Sequence, residues 1–238
     1  MNTLEKIKLL PSAMAGFLFC DPQRNGEYRF LQRLIREWKN HYRVVFDIGA
    51  NTGEYAARVL ATHSNTRLYC FEPSQITFKQ LATVFESDDR VVLEQMALSE
   101  RVGVAEFYLY GDTDQRNSLE QHSGTPVAID RVLVGTIDGY CNDHGINSID
   151  FMKVDVESHE FNVLMGARQM LHEKKIGAIQ FEYNVLWRNT SYTLEATLSL
   201  LDNYKIYRLT PWGKIWIPQF KASLENYPPA SNYVAFLK

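Results

Sequence analysis

The stretch VVFDIGANTGEYA, residues 44–56, constrains the fold more than any other part of the chain. Val44, Val45, Phe46 and Ile48 form a short apolar run of strand character. Gly49 to Gly53 read as a tight turn, and the alanine-bearing stretch after them as the start of a helix. A strand, a glycine turn and a helix in that order press backbone N–H groups against a ligand, because glycine has no Cβ and accepts positive φ. The motif also limits what that ligand is. Asp47, Gly49 and Gly53 make D-x-G-x-x-x-G, unlike the G-x-G-x-x-G of nicotinamide-binding folds and unlike the P-loop with its Gly-Lys-Ser/Thr end. The turn has no lysine for a triphosphate, and an acid at the strand tip repels a pyrophosphate while suiting an amino-bearing or cationic ligand.

From residue 43 onward strand and helix patterns alternate. Strands are predicted near 43–48, 67–71, 91–95, 149–155, 177–182, 204–209 and 232–237, and helices near 53–62, 74–86, 138–144, 160–173 and 193–202. Such alternation argues for an α/β chain with a largely parallel sheet covered on both faces. The interval 101–136 breaks the rhythm: EFYLY (106–110) and VAIDRVLVGTI (127–137) read as extra strands around the polar loop GDTDQRNSLEQHSGTP. This β insertion falls between the third and fourth parallel strands, beside the switch point where open α/β sheets bind ligands. Residues 1–40 stand apart. Leu4, Ile7 and Leu10, then Tyr28, Leu31, Leu34, Ile35 and Trp38, recur at helical spacing and predict a helical N-terminal extension, a cap or a lid on a main domain at 41–238.

With 45% hydrophobic and 13% aromatic residues in 238, the chain has enough apolar material for a full core. A net charge of −3 without a long Lys/Arg block leaves no electrostatic footprint for nucleic acid. Cys20, Cys70 and Cys141 form neither CxxC nor a Cys/His cluster and read as reduced structural thiols. Lysines precede a weakly apolar N-terminal stretch, but Pro11 and Ser12 interrupt it and no cleavage site follows. No run is long enough to span a membrane, so the expectation is a cytoplasmic protein.

Two further stretches carry chemistry. RLYCFEPS (67–74) is a second apolar strand ending in Glu72, placed to accept both hydroxyls of a ribose; with the glycine turn it predicts an adenosine ligand. Pro73 stops that strand and Ser74 caps the next helix. In IDFMKVDVESHEFNVLMGA (149–167), Lys153, Asp155, Glu157, His159 and Glu160 crowd the end of an apolar strand, which is costly unless the groups are paired or used. Ser158 reads as a helix cap there, with Glu160 in the first helical turn favouring the positive end of its dipole.

Taken together in order, FDIGANTGEY, CFEPS, MALSE (96–100), TIDGYC and IDFMKVDVESHE resemble the FkbM-type S-adenosylmethionine-dependent methyltransferases over roughly residues 43–182. One position departs: the family usually has glycine after D-x-E, and this chain has Ser158. The resemblance implies a Rossmann-like class I methyltransferase fold, a doubly wound, mostly parallel sheet of seven strands whose last strand is antiparallel. It implies S-adenosylmethionine as cofactor, with Gly49, Asn51 and Gly53 along its methionine moiety, Glu72 on its ribose and Asp47 toward its amino group. Met96, Ala97 and Ser99 fall at the adenine-contacting loop. Asp155 and His159 are the candidate bases for a hydroxyl acceptor, with Glu157 and Glu182 as orienting or alternative bases. No metal is assigned, although the carboxylates of Asp155, Glu157 and Glu182 suit Mg²⁺. The implied acceptor is a hydroxyl of a sugar, glycan, small molecule or secondary metabolite; Trp187, Trp212 and Trp216 either stack on it or pack a core edge. The alternatives are a nicotinamide-dependent oxidoreductase and a catalytically silent cofactor-binding protein of the same fold.

Overall fold

The computed structural model describes residues 21–39, 41–112, 114–225 and 230–238, so Leu4, Ile7 and Leu10 lie outside the described residues. The elements run α1 (Glu27–Trp38), β1 (Arg43–Ile48), α2 (Glu54–Thr62), β2 (Thr66–Phe71), α3 (Gln75–Phe85), β3 (Val91–Glu94), β4 (Ala97–Leu98), β5 (Gly103–Leu109) and β6 (Ala128–Gly135). Then follow α4 (Ile137–Asp143), β7 (Ile149–Val154), α5 (Glu160–Met165), α6 (Arg168–His172), β8 (Ile176–Asn184), α7 (Leu194–Leu200), β9 (Tyr204–Thr210), β10 (Gly213–Ile217) and β11 (Ala230–Leu237).

Alternation of apolar strands with amphipathic helices produces the sheet expected, with one strand more. The order is β10-β9-β11-β8-β7-β1-β2-β3. β3, β2, β1, β7 and β8 are parallel neighbours, β11 slots antiparallel between β8 and β9, and β10 folds back antiparallel on β9. The sheet therefore has eight strands where seven were predicted. The extra one is GKIWI, an edge strand that leaves Lys214 and Trp216 exposed and turns Ile217 inward. After β3 the chain crosses to the other side of β1 to lay down β7, which makes the C-terminal ends of β1 and β7 the switch point.

Both faces are covered. On one, Phe46, Met152 and Ile179 pack beneath α4 to α7; on the other, Val45, Leu68 and Phe151 pack beneath α1, α2 and α3. The predicted helix at 160–173 is two helices, because Gly166 lies against the carbonyl of Ser99, where a Cβ would collide. The Asp138 carboxylate then starts α6 afresh by accepting from the N–H groups of Gln169 (2.8 Å) and Met170 (3.0 Å). The insertion forms its own sheet, β4-β6-β5, over a small core of Ala97, Phe107, Leu109, Val132 and Val134. Among the described residues no helix is long and apolar enough to cross a membrane.

The described part of the N-terminal extension is built into the core. Phe30 and Trp38 of α1 each hold their ring centroid 6.2 Å from that of Phe151 in the central strand β7, and Tyr55 of α2 stacks on the same ring at 6.4 Å. Removing a buried aromatic of this kind costs about 3–5 kcal/mol. Trp38→Ala is therefore expected to lower the urea midpoint of the whole domain in one cooperative transition; a separate early transition for α1 would mean the helix is only loosely laid on.

Candidate active site

At the C-terminal ends of β1, β2, β7 and β8 lies a cavity of about 340 Å³. Its shape starts from the glycine turn. Gly49 has φ 77°, and a Cβ there would collide with the carbonyl of Asp155, so only glycine lets the β1 and β7 ends approach. The N–H groups of Gly49 and Ala50 both donate to the Phe71 carbonyl at 3.0 Å, which ties the turn to β2. Asn51 (φ 48°) then carries the chain over the cavity rim. Gly53, at φ 88°, faces the other way: a Cβ would stand 2.6 Å from Phe85 Cε2, so this glycine seats α2 on α3 and does not line the cavity.

Glu72 lines the cavity with 6% of its surface exposed. Its Oε2 accepts from the Asn51 N–H (3.0 Å) and its Oε1 from the Ser74 N–H (2.9 Å), leaving lone pairs on both oxygens for a ligand. Burial pushes its pKa up to about 7. Asp47 is wholly buried behind the wall, its carboxylate 3.8 Å from Lys153 Nζ, and burial raises it to about 6. Met96 and Ala97 line the cavity, whereas Ser99 stands one layer back.

Asp155, His159, Glu157 and Glu182 all line the cavity. Lys153 Nζ donates to Asp155 Oδ2 at 3.0 Å. One oxygen each of Asp155, Glu157 and Glu182 lie within 4.8 Å of one another, near enough to share a cation. Asn184 Nδ2 donates to Glu182 Oε2 (2.8 Å) and Glu157 Oε2 (3.3 Å). Burial first and neighbouring acids second hold both glutamates well above the usual carboxylate range. His159 has both ring nitrogens engaged, Nδ1 with Glu120 Oε1 at 2.7 Å and Nε2 with Ser99 Oγ at 2.8 Å.

The loop before α5 differs from the cap expected at Ser158. Glu157 (φ 54°) and Ser158 (φ 80°) are both left-handed, a conformation that costs a side-chain-bearing residue about 1–2 kcal/mol. Glycine would adopt this conformation freely; Ser158 holds it with a side chain in place. The Ser158 hydroxyl donates to Asn184 Oδ1 (3.1 Å) instead of capping α5, and Glu160 Oε1 accepts from the N–H groups of Val156 (3.0 Å) and Ser158 (3.4 Å). Glu160 stands in the first turn of α5 as expected and also ties the loop; burial raises it to about 8. Ser118 Oγ also donates to the carbonyls of Val156 (3.0 Å) and Glu157 (2.8 Å). Ser118 and Glu120 were not singled out from the sequence, and only their place in the polar insertion loop hinted at them.

The remaining walls come from the chain before and within α1, with Pro22, Asn25 and Tyr28, and from the insertion, with Phe107, Asp114 and Asn117. Among the described residues no tryptophan lines the cavity. Trp187 is buried in the core against Tyr183, and Trp212 and Trp216 stand 59% and 60% exposed on the β9–β10 hairpin.

The family described as Methyltransferase FkbM domain matches residues 47–206, which takes in every strand end around this cavity. The chain belongs to that family. This FkbM methyltransferase is 26% identical over 187 residues to the 2-O-methyltransferase NoeI of Sinorhizobium fredii (strain NBRC 101917 / NGR234), a match covering 71% of the chain and 75% of the relative. Among solved structures it is similar to a precorrin-6y C5,15-methyltransferase from Geobacter metallireducens GS-15, at 10% identity, 89% and 88% coverage and a TM-score of 0.47. An rRNA methylase from Streptococcus thermophilus gives 12% identity, 92% and 98% coverage and a TM-score of 0.47. Family membership replaces the nicotinamide-dependent alternative: the chain is a methyltransferase.

The buried acids give this FkbM methyltransferase a pH signature. Glu72 at about 7 and Glu160 at about 8 lie above their ordinary value of 4.5. The folded protein therefore binds more protons than the unfolded chain across that window, and stability is full below it and falls as pH rises through it. The ligand-free melting temperature is expected to drop between about pH 5 and pH 8. Glu160→Gln is expected to flatten the upper part of that fall in thermal melts, and an unchanged profile would count against a protonated Glu160.

Proposed function

We propose that the protein transfers a methyl group from S-adenosylmethionine to a hydroxyl of a sugar or another small molecule. The observation that supports this most is Glu72, a buried carboxylate at the end of β2 that two backbone N–H groups hold in place with lone pairs still facing the cavity. That pair of acceptors fits a ribose diol, whose two hydroxyls would donate to it. The surplus of carboxylates beside it fits a ligand that brings positive charge and no phosphate. S-adenosylmethionine, when bound, supplies a methyl on a cationic sulfur.

The chain's own task is then alignment and deprotonation. Gly49 and Asn51 line the part of the cavity nearest the turn and are assigned to the methionine moiety, Glu72 to the ribose, and Met96 and Ala97 to the adenine. Asp155, fixed by Lys153, orients the acceptor. Glu182, whose pKa burial and the neighbouring Asp155 hold well above the usual carboxylate range, takes the hydroxyl proton, because a carboxylate with a raised pKa is the stronger base once ionised. His159, held by Glu120 and Ser99, positions the insertion loop against the site. Pro22, Asn25 and Tyr28 on one side and Asp114 and Asn117 on the other are assigned to the acceptor, which makes the N-terminal extension a wall of the acceptor subsite. NoeI carries a 2-O-methyltransferase name, which supports a hydroxyl as acceptor.

A thermal-shift series tests this. Ligand at 100 times its dissociation constant adds about 2.7 kcal/mol, roughly 5–10 °C for a domain of this size. S-adenosylmethionine and S-adenosylhomocysteine are expected to give that shift and NAD none, with the shift lost in Glu72→Gln. Glu182→Gln and Asp155→Asn are expected to keep it while lowering kcat by about 10²–10⁴-fold. A Glu72→Gln protein that binds cofactor as well as wild type would overturn the assignment.

A further inference from the structure

The β5–β6 hairpin buries one face and leaves the other bare. Ala105, Phe107 and Leu109 of β5 and Val132 and Val134 of β6 turn inward. By strand alternation Val104, Glu106 and Tyr108 turn outward, in the register Val104↔Leu133, Glu106↔Arg131 and Tyr108↔Ile129. Val102 and Val127 extend the same face. Eleven large hydrophobic residues are exposed among the described ones, and Val102, Val104, Val127, Ile129 and Leu133 are five of them, at 51–77% exposure. Single exposed aliphatics need no explanation, whereas this many on one two-stranded face mark a contact surface. β5 is also the outer strand of its sheet, its outer side bridged only at Tyr108 by Ser118 among the described residues.

The charges on the face select the occupant. Glu106 and Arg131 sit opposite each other at its centre, with an apolar pair on either side. Glu106 accepts from the Tyr108 hydroxyl at 3.0 Å, and Arg131 forms no ion pair among the described residues. A two-fold axis parallel to the strands and midway between them lays β5 of one copy over β6 of another. Each residue then meets the second copy of its own cross-strand neighbour: Glu106 meets Arg131, Val104 meets Leu133, and Tyr108 meets Ile129. The face is complementary to itself, which is the condition for an isologous two-fold interface. We propose that the protein forms a homodimer through the outward face of β5 and β6. The interface braces the hairpin from behind, on the side opposite Phe107, which lines the catalytic cavity.

Sedimentation velocity on the full chain at tens of micromolar tests this. Wild type is expected at twice the chain mass. Leu133→Lys, at a position 63% exposed, should leave the melting temperature in place and raise the dimer dissociation constant at least about tenfold. Glu106→Arg and Arg131→Glu should each raise the dissociation constant too, because each sets like charges against each other across the axis; each also sets like charges opposite within its own hairpin, so Leu133→Lys serves as the control for stability. Mixing these two charge variants should restore the dimer, since each supplies the charge the other lacks. A monomeric wild type would overturn the proposal, as would single variants that remain dimeric or a mixture that fails to reassociate.

Discussion

The site depends on one buried cation. Lys153 is nearly inaccessible at the end of β7, between Asp155 at 3.0 Å and Asp47 of β1 at 3.8 Å. Burial alone would discharge it, but Asp155, Asp47 and Glu27 together hold its pKa well above the usual value, so it stays charged. It therefore joins β1, β7 and the first turn of α1 at the point where the sheet reverses its order. A lone ammonium in that place would be prohibitive, and two lone carboxylates equally so; each makes the other tolerable. The glycine turn follows from the same meeting, because Gly49 lets the backbone after β1 come against Asp155.

Lys153 does not neutralise what surrounds it. Glu27, with a pKa raised to about 7 by burial, Glu157, Glu160 and Glu182 share the same interior, and all are pushed toward their protonated forms. An interior with more acids than bases is unfavourable for an empty protein and favourable for one that receives a cation. Natural chains break local rules of this kind at functional sites. The strained Glu157–Ser158 pair follows the same logic: the backbone holds left-handed angles because Asn184, Ser118 and Glu160 fix it from three sides. A left-handed turn of the kind that glycine favours is made here by a serine whose hydroxyl is itself one of the ties.

Much of this was legible in the sequence because it rests on local patterns. Strand after strand fell within a residue or two of its predicted span, since apolar runs bounded by Gly, Pro or Asp carry their own boundaries. Gly49, Asn51, Glu72, Asp155 and Glu182 line the cavity because each lies near or just past the C-terminal end of one of the parallel strands β1, β2, β7 and β8, and parallel strands bring those ends together. What escaped were relations across sequence distance. Gly53 and Asp47 belong to the right motif, but their side of the turn is set by α3 and Lys153, which the motif does not mention. Trp212 and Trp216 looked like ligand platforms by type alone; their place depends on β10, a short edge strand with a weak pattern. The break at Gly166 depends on a carbonyl more than sixty residues earlier in the chain.

The insertion is where sequence pattern and function separate most. Its strands were visible, yet its role lies in single polar contacts, Ser118 to the Glu157 loop and Glu120 to His159, that join a separate small sheet to the end of β7. The insertion keeps its own small core, separate from the two cores that cover the central sheet. The central sheet thus positions the carboxylates at its strand ends, and the insertion, tied to the loop after β7 through Ser118 and to His159 through Glu120, adds Phe107, Asp114 and Asn117 to the cavity wall.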